Sequence, residues 1–264
     1  MLLQDKNAIV YGAAGAVGSA VAQVFAREGA RVFLAGRTSA ALTATADEIT
    51  QACNATVEVA TLDVMDGDAV EAHADAVVRD AGSLDVSFNA ISVPQKGIQG
   101  TSLADMSPEA FSLPMTAYPM ANFLTARAAA RRMTPQESGV IMSITASPSR
   151  TAVPLMGGMA PAWAAIESLS RGLAAELGPR GVRVVCLNAA GMPETPQLFD
   201  VYGLHADAYG ITRDDFHALQ SALTLRKQLP TVAEIAEVAA FVASDRCRAM
   251  TGAVANLTGG MVVD

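Results

Sequence analysis

Short hydrophobic segments alternate with longer amphipathic segments along the whole chain. Short apolar runs bounded by turn residues are typical of buried parallel strands, and longer stretches with apolar residues at helical spacing predict helices. The predicted strands are Ala8–Tyr11, Arg31–Ala35, Val57–Leu62, Val86–Asn89, Val140–Ile144, Val182–Leu187 and Ala253–Leu257. The predicted helices are Ala16–Glu28, Thr38–Ala52, Ala69–Ala81, Pro108–Met133, Pro161–Leu177 and Val232–Ser244, the fourth interrupted by Pro114 and Pro119.

Strands separated by helix-length segments indicate βαβ crossovers, because a parallel strand needs a long return connection. We therefore predict an α/β protein with a single Rossmann-type, doubly wound parallel sheet flanked by helices on both faces. No repeat or linker marks a second domain, so residues 1–264 are predicted to form one domain. Ligands of such sheets bind at the carboxyl ends of the strands.

Composition narrows the functional classes. Hydrophobic residues make up 51% of the chain and charged residues 17%, which predicts a large core and excludes extensive disorder. A net charge of −8 disfavours nucleic acid and anionic membrane surfaces as partners. The three cysteines and three histidines form no metal-ligand pattern, so we predict no metal site. We expect a cytoplasmic protein with reduced thiols, without a signal peptide or a membrane-spanning segment.

The turn after the first strand is rich in glycine. Gly12, Gly15 and Gly18 lie between a predicted strand and a predicted helix, together with Ala16 and Val17. Glycines there let the backbone approach a pyrophosphate, and the N–H groups at the start of the helix meet its charge. Tight packing of strand and helix alone could also require them.

Several segments resemble the short-chain dehydrogenase/reductase family, in the same order, from about Lys6 to Val263. The family's T-G-x-x-x-G-x-G turn matches Gly12 and Gly18, with Tyr11 at the Thr position and Ala16 at the middle Gly. Further matches are Asp63-Val64, Asn89 in V-S-F-N-A, Ala174-Ala175-Glu176-Leu177 with Gly181-Val182-Arg183-Val184, Ala190–Thr195, and Thr251-Gly252 with Thr258-Gly259-Gly260.

This resemblance implies a nicotinamide dinucleotide as cofactor. Besides the glycine turn, it implies contacts from Asp63 and Val64 near the adenine, from Asn89, and from Gly191 and Thr195 near the nicotinamide. Arg37 follows the second strand, where a cation accommodates the 2′-phosphate of NADP and an acidic residue would favour NAD. We therefore expect NADP(H) in preference to NAD(H). Alternatively, Arg37 is solvated and Asp63 caps a turn.

The family's catalytic residues are not found at their usual positions. Members of the family use a Tyr as general acid/base, a Lys four residues later, a Ser and an Asn. Counting back from Glu176 by the family's spacing puts Met159 at the Tyr position and Trp163 at the Lys position, with Ala146 at the Ser position. The Asn position falls near Tyr118. Met and Trp cannot transfer a proton, so the family's usual mechanism is excluded in this register.

Other side chains are candidates for the missing roles. Tyr118 could supply the proton, or it could be a packed aromatic residue. Thr145 and Ser147 could orient a substrate oxygen, or they could simply end a strand. Trp163 could stack on the cofactor or fill volume. The segment from Met192 to Gln228 lies where the family places a substrate lid. Its histidines, His205 and His217, are near-neutral acid/base candidates, although a lone loop histidine is more often just solvated.

Three functions fit these observations. The first is an NADP(H)-dependent oxidoreductase acting on a small, rather apolar carbonyl or alcohol with a non-standard proton donor. The second is a non-redox enzyme on the same scaffold, such as an isomerase, dehydratase or cyclase, and the third is a catalytically silent partner protein. Family resemblance also implies a homodimer or homotetramer formed through two long helices.

Overall fold

Seven parallel strands form one sheet in this computed structural model, which describes residues 1–263. The strand order is β3-β2-β1-β4-β5-β6-β7. The strands are β1 Asn7–Tyr11, β2 Arg31–Gly36, β3 Val57–Thr61, β4 Val86–Asn89, β5 Gly139–Ala146, β6 Val182–Ala189 and β7 Val254–Leu257. The predicted α/β class and doubly wound sheet are thus confirmed.

Eight helices connect and cover the strands. They are α1 Ala16–Arg27, α2 Ser39–Cys53, α3 Gly67–Ala81, α4 Pro108–Gln136, α5 Met159–Leu177, α6 Pro196–Tyr209, α7 Arg213–Leu223 and α8 Val232–Ala243. Helices α1, α2 and α8 pack together on one face of the sheet, and α3, α4 and α5 on the other. Each face has its own core, one including Val10, Phe25 and Phe88 and the other including Ile9 and Met133.

Helix α4 is continuous, so the predicted interruption at Pro114 and Pro119 is wrong. Each proline removes only one backbone N–H. Helices α3 and α5 pack against α4, and Pro114 and Tyr118 are buried, Tyr118 in an apolar cluster with Met159 of α5. The side-chain amide of Asn122 also donates to the Tyr118 carbonyl at 2.9 Å, which ties the turn at Pro119 together. Burial therefore outweighs the local cost of the prolines.

The lid segment, residues 192–228, is largely helical. Thr195 caps α6 through its hydroxyl, and Pro196 occupies the first turn. Thr212 and Asp215 form a reciprocal capping box at the start of α7. No helix was predicted in this segment, although both capping signals are present in the sequence. The two helices stand over the carboxyl ends of the strands, where they form one wall of the cleft described next.

Candidate active site at the carboxyl edge of the sheet

A cleft opens where β4, β5 and β6 end. Its walls are the loop after β4, the ends of β5 and β6, the start of α5, and the lid segment. The enclosed space is about 190 Å³. The lining residues are Val17, Ala90, Ile91, Ser92, Gln95, Gln99, Tyr118, Ile144, Thr145, Ala146, Ser147, Pro148, Val153, Met156, Met159, Trp163, Ala189, Ala190, Gly191, Met192, Gln197, Leu198, Val201, Tyr202, His205, Phe216, Gln220 and Met261. None of these side chains is an acid, a lysine or an arginine, so the cleft suits a neutral ligand.

The glycine turn borders this cleft through Val17. Gly12 has a φ of +74°, and a Cβ there would lie 2.6 Å from the Ala90 carbonyl oxygen. A Cβ on Gly18 would lie 2.3 Å from the Gly12 carbonyl oxygen. Both positions therefore require glycine on steric grounds. Gly15 precedes α1 without a side-chain cap, which leaves the N–H groups of the first turn open to an anion.

Arg37 and Asp63 follow β2 and β3 at the same edge. Arg37 is exposed and makes no ion pair or side-chain hydrogen bond within residues 1–263. The Asp63 carboxylate accepts a hydrogen bond from the Met65 N–H at 3.0 Å, so it caps the following turn, and Val64 is buried beside it. This local role for Asp63 is the alternative raised by the sequence, and its carboxylate remains exposed.

Asn89 holds β4 against α4. Its amide nitrogen donates to the Thr125 hydroxyl at 2.9 Å and to the Ala121 carbonyl at 3.3 Å, and its oxygen accepts from the Ile91 N–H. Asn89 is buried and is not among the cleft-lining residues. We conclude that its side chain organises the strand end, whatever its relation to a cofactor.

Gly191 and Thr195 lie where β6 leads into the lid segment. A Cβ on Gly191 would lie 2.5 Å from the Tyr202 hydroxyl, so glycine allows α6 to pack closely on the strand end. Thr195 is buried; its hydroxyl donates to the Met192 carbonyl at 3.0 Å and accepts from the Leu198 N–H. In this conformation the Thr195 hydroxyl caps α6.

Tyr118 projects from α4 into the cleft. It is 6% exposed, and its ring lies 6.3 Å from the Trp163 ring between centroids. Burial raises the pKa of Tyr118, and the Ser92 side chain, the Val93 backbone and the Gln95 side chain partly offset this by stabilising the phenolate. The hydroxyl therefore faces the loop after β4 and stays protonated at neutral pH, as a proton donor must be.

The start of α5 presents apolar side chains to the cleft. Met159 is buried and Trp163, one turn later, is half-buried; both line the cleft, as does Ala146 at the end of β5. The sequence of α5 contains no tyrosine and no lysine. Trp163 packs against Tyr118 while keeping part of its surface in the cleft. The position of Trp163 is compatible with stacking on a cofactor and with filling volume in the cleft.

Thr145 and Ser147 also line the cleft, but their hydroxyl groups have protein partners. The Thr145 hydroxyl donates to Glu167 at 3.1 Å and accepts from the Asn188 amide at 3.1 Å. The Ser147 hydroxyl donates to the Met261 sulfur at 3.2 Å. A thioether is a weak acceptor, so Ser147 can exchange its partner for a substrate oxygen more readily than Thr145 can.

Glu167 is a buried polar residue that the sequence analysis did not single out. It is 5% exposed, and one carboxylate oxygen accepts from Thr145, from Ser149 at 2.5 Å and from Asn188 at 2.9 Å. Three donors thus satisfy a buried oxygen that would otherwise have no hydrogen-bond partner. The available signal was its spacing four residues after Trp163, on the buried face of an apolar helix.

No group of three or more potential metal-ligating side chains occurs within the described residues. None of the helices over residues 1–263 combines the length and apolar character needed to cross a membrane.

Comparisons with known proteins agree with this architecture. Residues 12–262 match a family model described as enoyl-(acyl carrier protein) reductase. Secoisolariciresinol dehydrogenase of Forsythia intermedia is 31% identical over 276 residues, covering 99% of this chain and 90% of that protein. The solved structure of an NAD⁺-bound xylitol dehydrogenase superposes with a TM-score of 0.90 at 24% identity, covering 98% of each chain. An actinorhodin polyketide ketoreductase variant with NADPH superposes with a TM-score of 0.88 at 22% identity, covering 97% of each chain.

Proposed function

The chain belongs to the short-chain dehydrogenase/reductase family of oxidoreductases, and from that premise we propose that it is an NADP(H)-dependent enzyme. Its substrate would be a small, neutral and mostly apolar carbonyl compound or the corresponding alcohol, and its proton donor would not be the family's usual tyrosine. The observation that carries this proposal is the combination of a sterically enforced glycine turn with a cleft free of charged side chains.

The residues at the glycine turn fit a dinucleotide. A Cβ on Gly12 or Gly18 would collide with main-chain atoms, so glycine fixes the shape of this turn, and the first turn of α1 offers its N–H groups to a pyrophosphate without competition from a side-chain cap. Arg37, exposed and unpaired within residues 1–263, suits a 2′-phosphate. When bound, the nicotinamide would supply or accept the hydride.

The preference for NADP(H) depends on Arg37 and not on the fold. The xylitol dehydrogenase neighbour was solved with NAD⁺ and the ketoreductase neighbour with NADPH, so this architecture accommodates either dinucleotide. A guanidinium contributes to phosphate binding through charge-assisted hydrogen bonds, which an NAD adenosine ribose cannot match.

We assign proton transfer to Tyr118. Met159 and Trp163 leave α5 without an ionisable group at the cleft, whereas the Tyr118 hydroxyl lies beside three groups that stabilise its phenolate. Ser92 extends this arrangement, because the Gln197 amide of the lid segment donates to the Ser92 hydroxyl at 2.5 Å. Closure of the lid over a substrate would thus hold the proton donor's neighbours in place and exclude water.

A homodimer or homotetramer remains part of the proposal. Helix α4 exposes Phe111, Leu113, Met120 and Phe123, each at least 38% accessible. Such an apolar helix surface supports packing against a second copy of the chain. Light scattering coupled to size exclusion should give a mass of two or four chains. A monomer at micromolar concentration would contradict this part of the proposal.

Cofactor titration is the experiment that tests the proposed function. Trp163 is the only tryptophan and lines the cleft, so energy transfer to a bound reduced nicotinamide reports on distance as well as affinity. We expect NADPH to bind more tightly than NADH and to quench Trp163. Binding of neither dinucleotide would refute the redox function.

A further inference from the structure

A chain of buried amide and imidazole groups crosses one end of the cleft. The Gln95 amide donates to the Val93 carbonyl at 2.6 Å, and the Gln99 amide donates to the Gln95 side-chain oxygen at 2.6 Å. His205 Nε2 lies 3.1 Å from the Gln99 side-chain oxygen. Gln95, Gln99 and His205 are 8%, 5% and 2% exposed, and all three line the cleft.

The direction of these hydrogen bonds determines where the His205 proton resides. A backbone carbonyl can only accept, so the Gln95 atom facing Val93 must be its NH₂ group. The Gln95 oxygen must then face the NH₂ group of Gln99, and the Gln99 oxygen faces His205. An oxygen acceptor requires a proton on His205 Nε2.

The other ring nitrogen, His205 Nδ1, is therefore a bare acceptor. Burial lowers the pKa of His205, which keeps the imidazole neutral. Nδ1 is sealed from solvent and has no hydrogen-bond partner among the residues that the structure describes. The ring stacks on Phe216 at 5.2 Å between centroids, so its plane is held. A buried acceptor without a partner is unfavourable until a donor reaches it.

We propose that, when a ligand displaces the lid segment that carries both His205 and Phe216, His205 Nδ1 accepts a hydrogen bond from a hydroxyl group of the substrate, remote from the reacting carbon. The substrate class is then a neutral, mostly apolar carbonyl compound that carries a second oxygen as a hydroxyl. This deepens the proposed function and depends on it only in taking the cleft as the substrate site.

The uncharged lining of the cleft selects a hydroxyl over a charged donor. An ammonium group would enter a site in which no acidic side chain contributes to the described lining. A hydroxyl donates one hydrogen bond without that cost. Phe216 and Tyr202, whose rings lie 5.1 Å apart, flank the same end and accommodate the apolar carbon frame beside the hydroxyl.

Ligand binding to the full-length protein tests this proposal without turnover. The probes are acetophenone, its three ring-hydroxylated isomers and their methoxy counterparts, each titrated against Trp163 fluorescence. We expect at least one hydroxyl isomer to bind about threefold to tenfold more tightly than its methoxy counterpart, the effect of one neutral hydrogen bond. His205→Phe, which keeps a ring to stack on Phe216, should abolish this preference.

His217→Phe is the matched control, because His217 is exposed on the neighbouring helix α7 and does not line the cleft. It should retain the hydroxyl preference. Equal binding of hydroxyl and methoxy probes, absence of binding by every hydroxyl isomer, or a preference that survives His205→Phe would each overturn the proposal.

Nitrogen-15 NMR of histidine-labelled protein gives a second measurement that does not depend on the probes. The His205 ring should show a protonated Nε2 and an unprotonated Nδ1, and Gln99→Met should relax this tautomer preference. A proton on Nδ1 in the free protein would contradict the assignment. If NADPH fails to bind while the hydroxyl preference holds, the redox function fails and the recognition site stands.

Discussion

The glycine turn and the start of α5 border the same cleft but are constrained in different ways. At the turn, the constraint is backbone geometry, because a Cβ on Gly12 or Gly18 would collide with main-chain atoms. At the start of α5, the constraint is the volume and shape of Met159 and Trp163, which fill space without any ionisable group. A turn whose shape depends on glycine cannot accept other residues without changing its backbone. A site formed by side chains can keep its shape when residues of similar volume but different reactivity replace one another.

Under the proposed function, this difference would explain how one end of the cleft keeps the family pattern while the other end transfers its proton from a different residue. The fold supplies the strand ends and helix N-terminus regardless of which side chains transfer protons. The hydroxyl and amide groups that line the cleft lie on α4, the loop after β4, the end of β5 and the lid segment. The most informative experiments therefore change each end separately.

Replacement of Tyr118 should have the largest effect. Tyr118→Phe removes the hydroxyl but keeps the ring that packs on Trp163. If Tyr118 is the proton donor, turnover should fall about 10²- to 10⁴-fold, the usual contribution of a general acid. Steady-state reduction of a carbonyl panel with NADPH measures this, with thermal unfolding as a check on folding.

The matched control is Tyr209→Phe, the same chemical change on an exposed tyrosine of α6 outside the cleft lining. It should leave turnover close to that of the wild type. Full activity in Tyr118→Phe would show that the reacting end obtains its proton elsewhere, and the contrast between the two ends would then need another explanation.

Substitution in the glycine turn should have the next largest effect. Gly12→Ala places a methyl group 2.6 Å from the Ala90 carbonyl oxygen at a φ of +74°. We expect loss of dinucleotide binding and a decrease in the free energy of unfolding on the order of 3 kcal/mol, from strain plus overpacking. Chemical denaturation and NADPH titration measure the two effects.

Gly82→Ala isolates the strain, since Gly82 also has a positive φ but no atom within 4 Å of an added Cβ. Gly82→Ala should decrease the free energy of unfolding by only about 1 kcal/mol and should leave NADPH binding unchanged. Equal losses of stability in the two variants would show that the close approach to Ala90 does not constrain the turn.

The contrast between backbone and side-chain constraints also determines how much of the fold and of the site could be predicted from the sequence. The strands and the glycine turn follow from periodic patterns and turn residues, and the positions of Tyr118, Met159 and Trp163 at the cleft follow from the family resemblance. The continuity of α4 through Pro114 and Pro119 did not follow, because tertiary packing outweighed a local signal. The hydrogen-bond networks of Glu167 and His205 join distant segments, and no local pattern encodes which partners a buried polar group will find.

Arg37→Ala should affect one cofactor and not the other. Hydrogen bonds to a charged group contribute about 1.5–3 kcal/mol, so NADPH binding should weaken roughly 10- to 100-fold while NADH binding stays constant. Arg180→Ala removes the same charge from an exposed residue just before β6, at the opposite edge of the sheet, and should change neither affinity. Parallel weakening of NADPH and NADH binding by Arg37→Ala would argue against a 2′-phosphate contact and would leave the cofactor preference unassigned.

Acidification should produce the smallest effect, and it tests whether the lid end of the cleft is uncharged. Burial lowers the pKa of His205 and of His73 in the folded state, whereas an unfolded histidine titrates near 6.5. As the pH falls below about 6.5, the unfolded state takes up these protons first, so the free energy of unfolding decreases. Each histidine contributes at most about 1.4 kcal/mol per pH unit.

Urea denaturation between pH 7.5 and 5.5 should show that His205→Phe and His73→Phe each reduce this pH dependence of the free energy of unfolding. The two reductions should be additive, because the two residues lie on different helices without shared partners. A slope that His205→Phe leaves unchanged would mean that His205 has the same pKa in the folded and unfolded states, so that its ring takes up a proton near pH 6.5 and burial does not hold Nδ1 unprotonated.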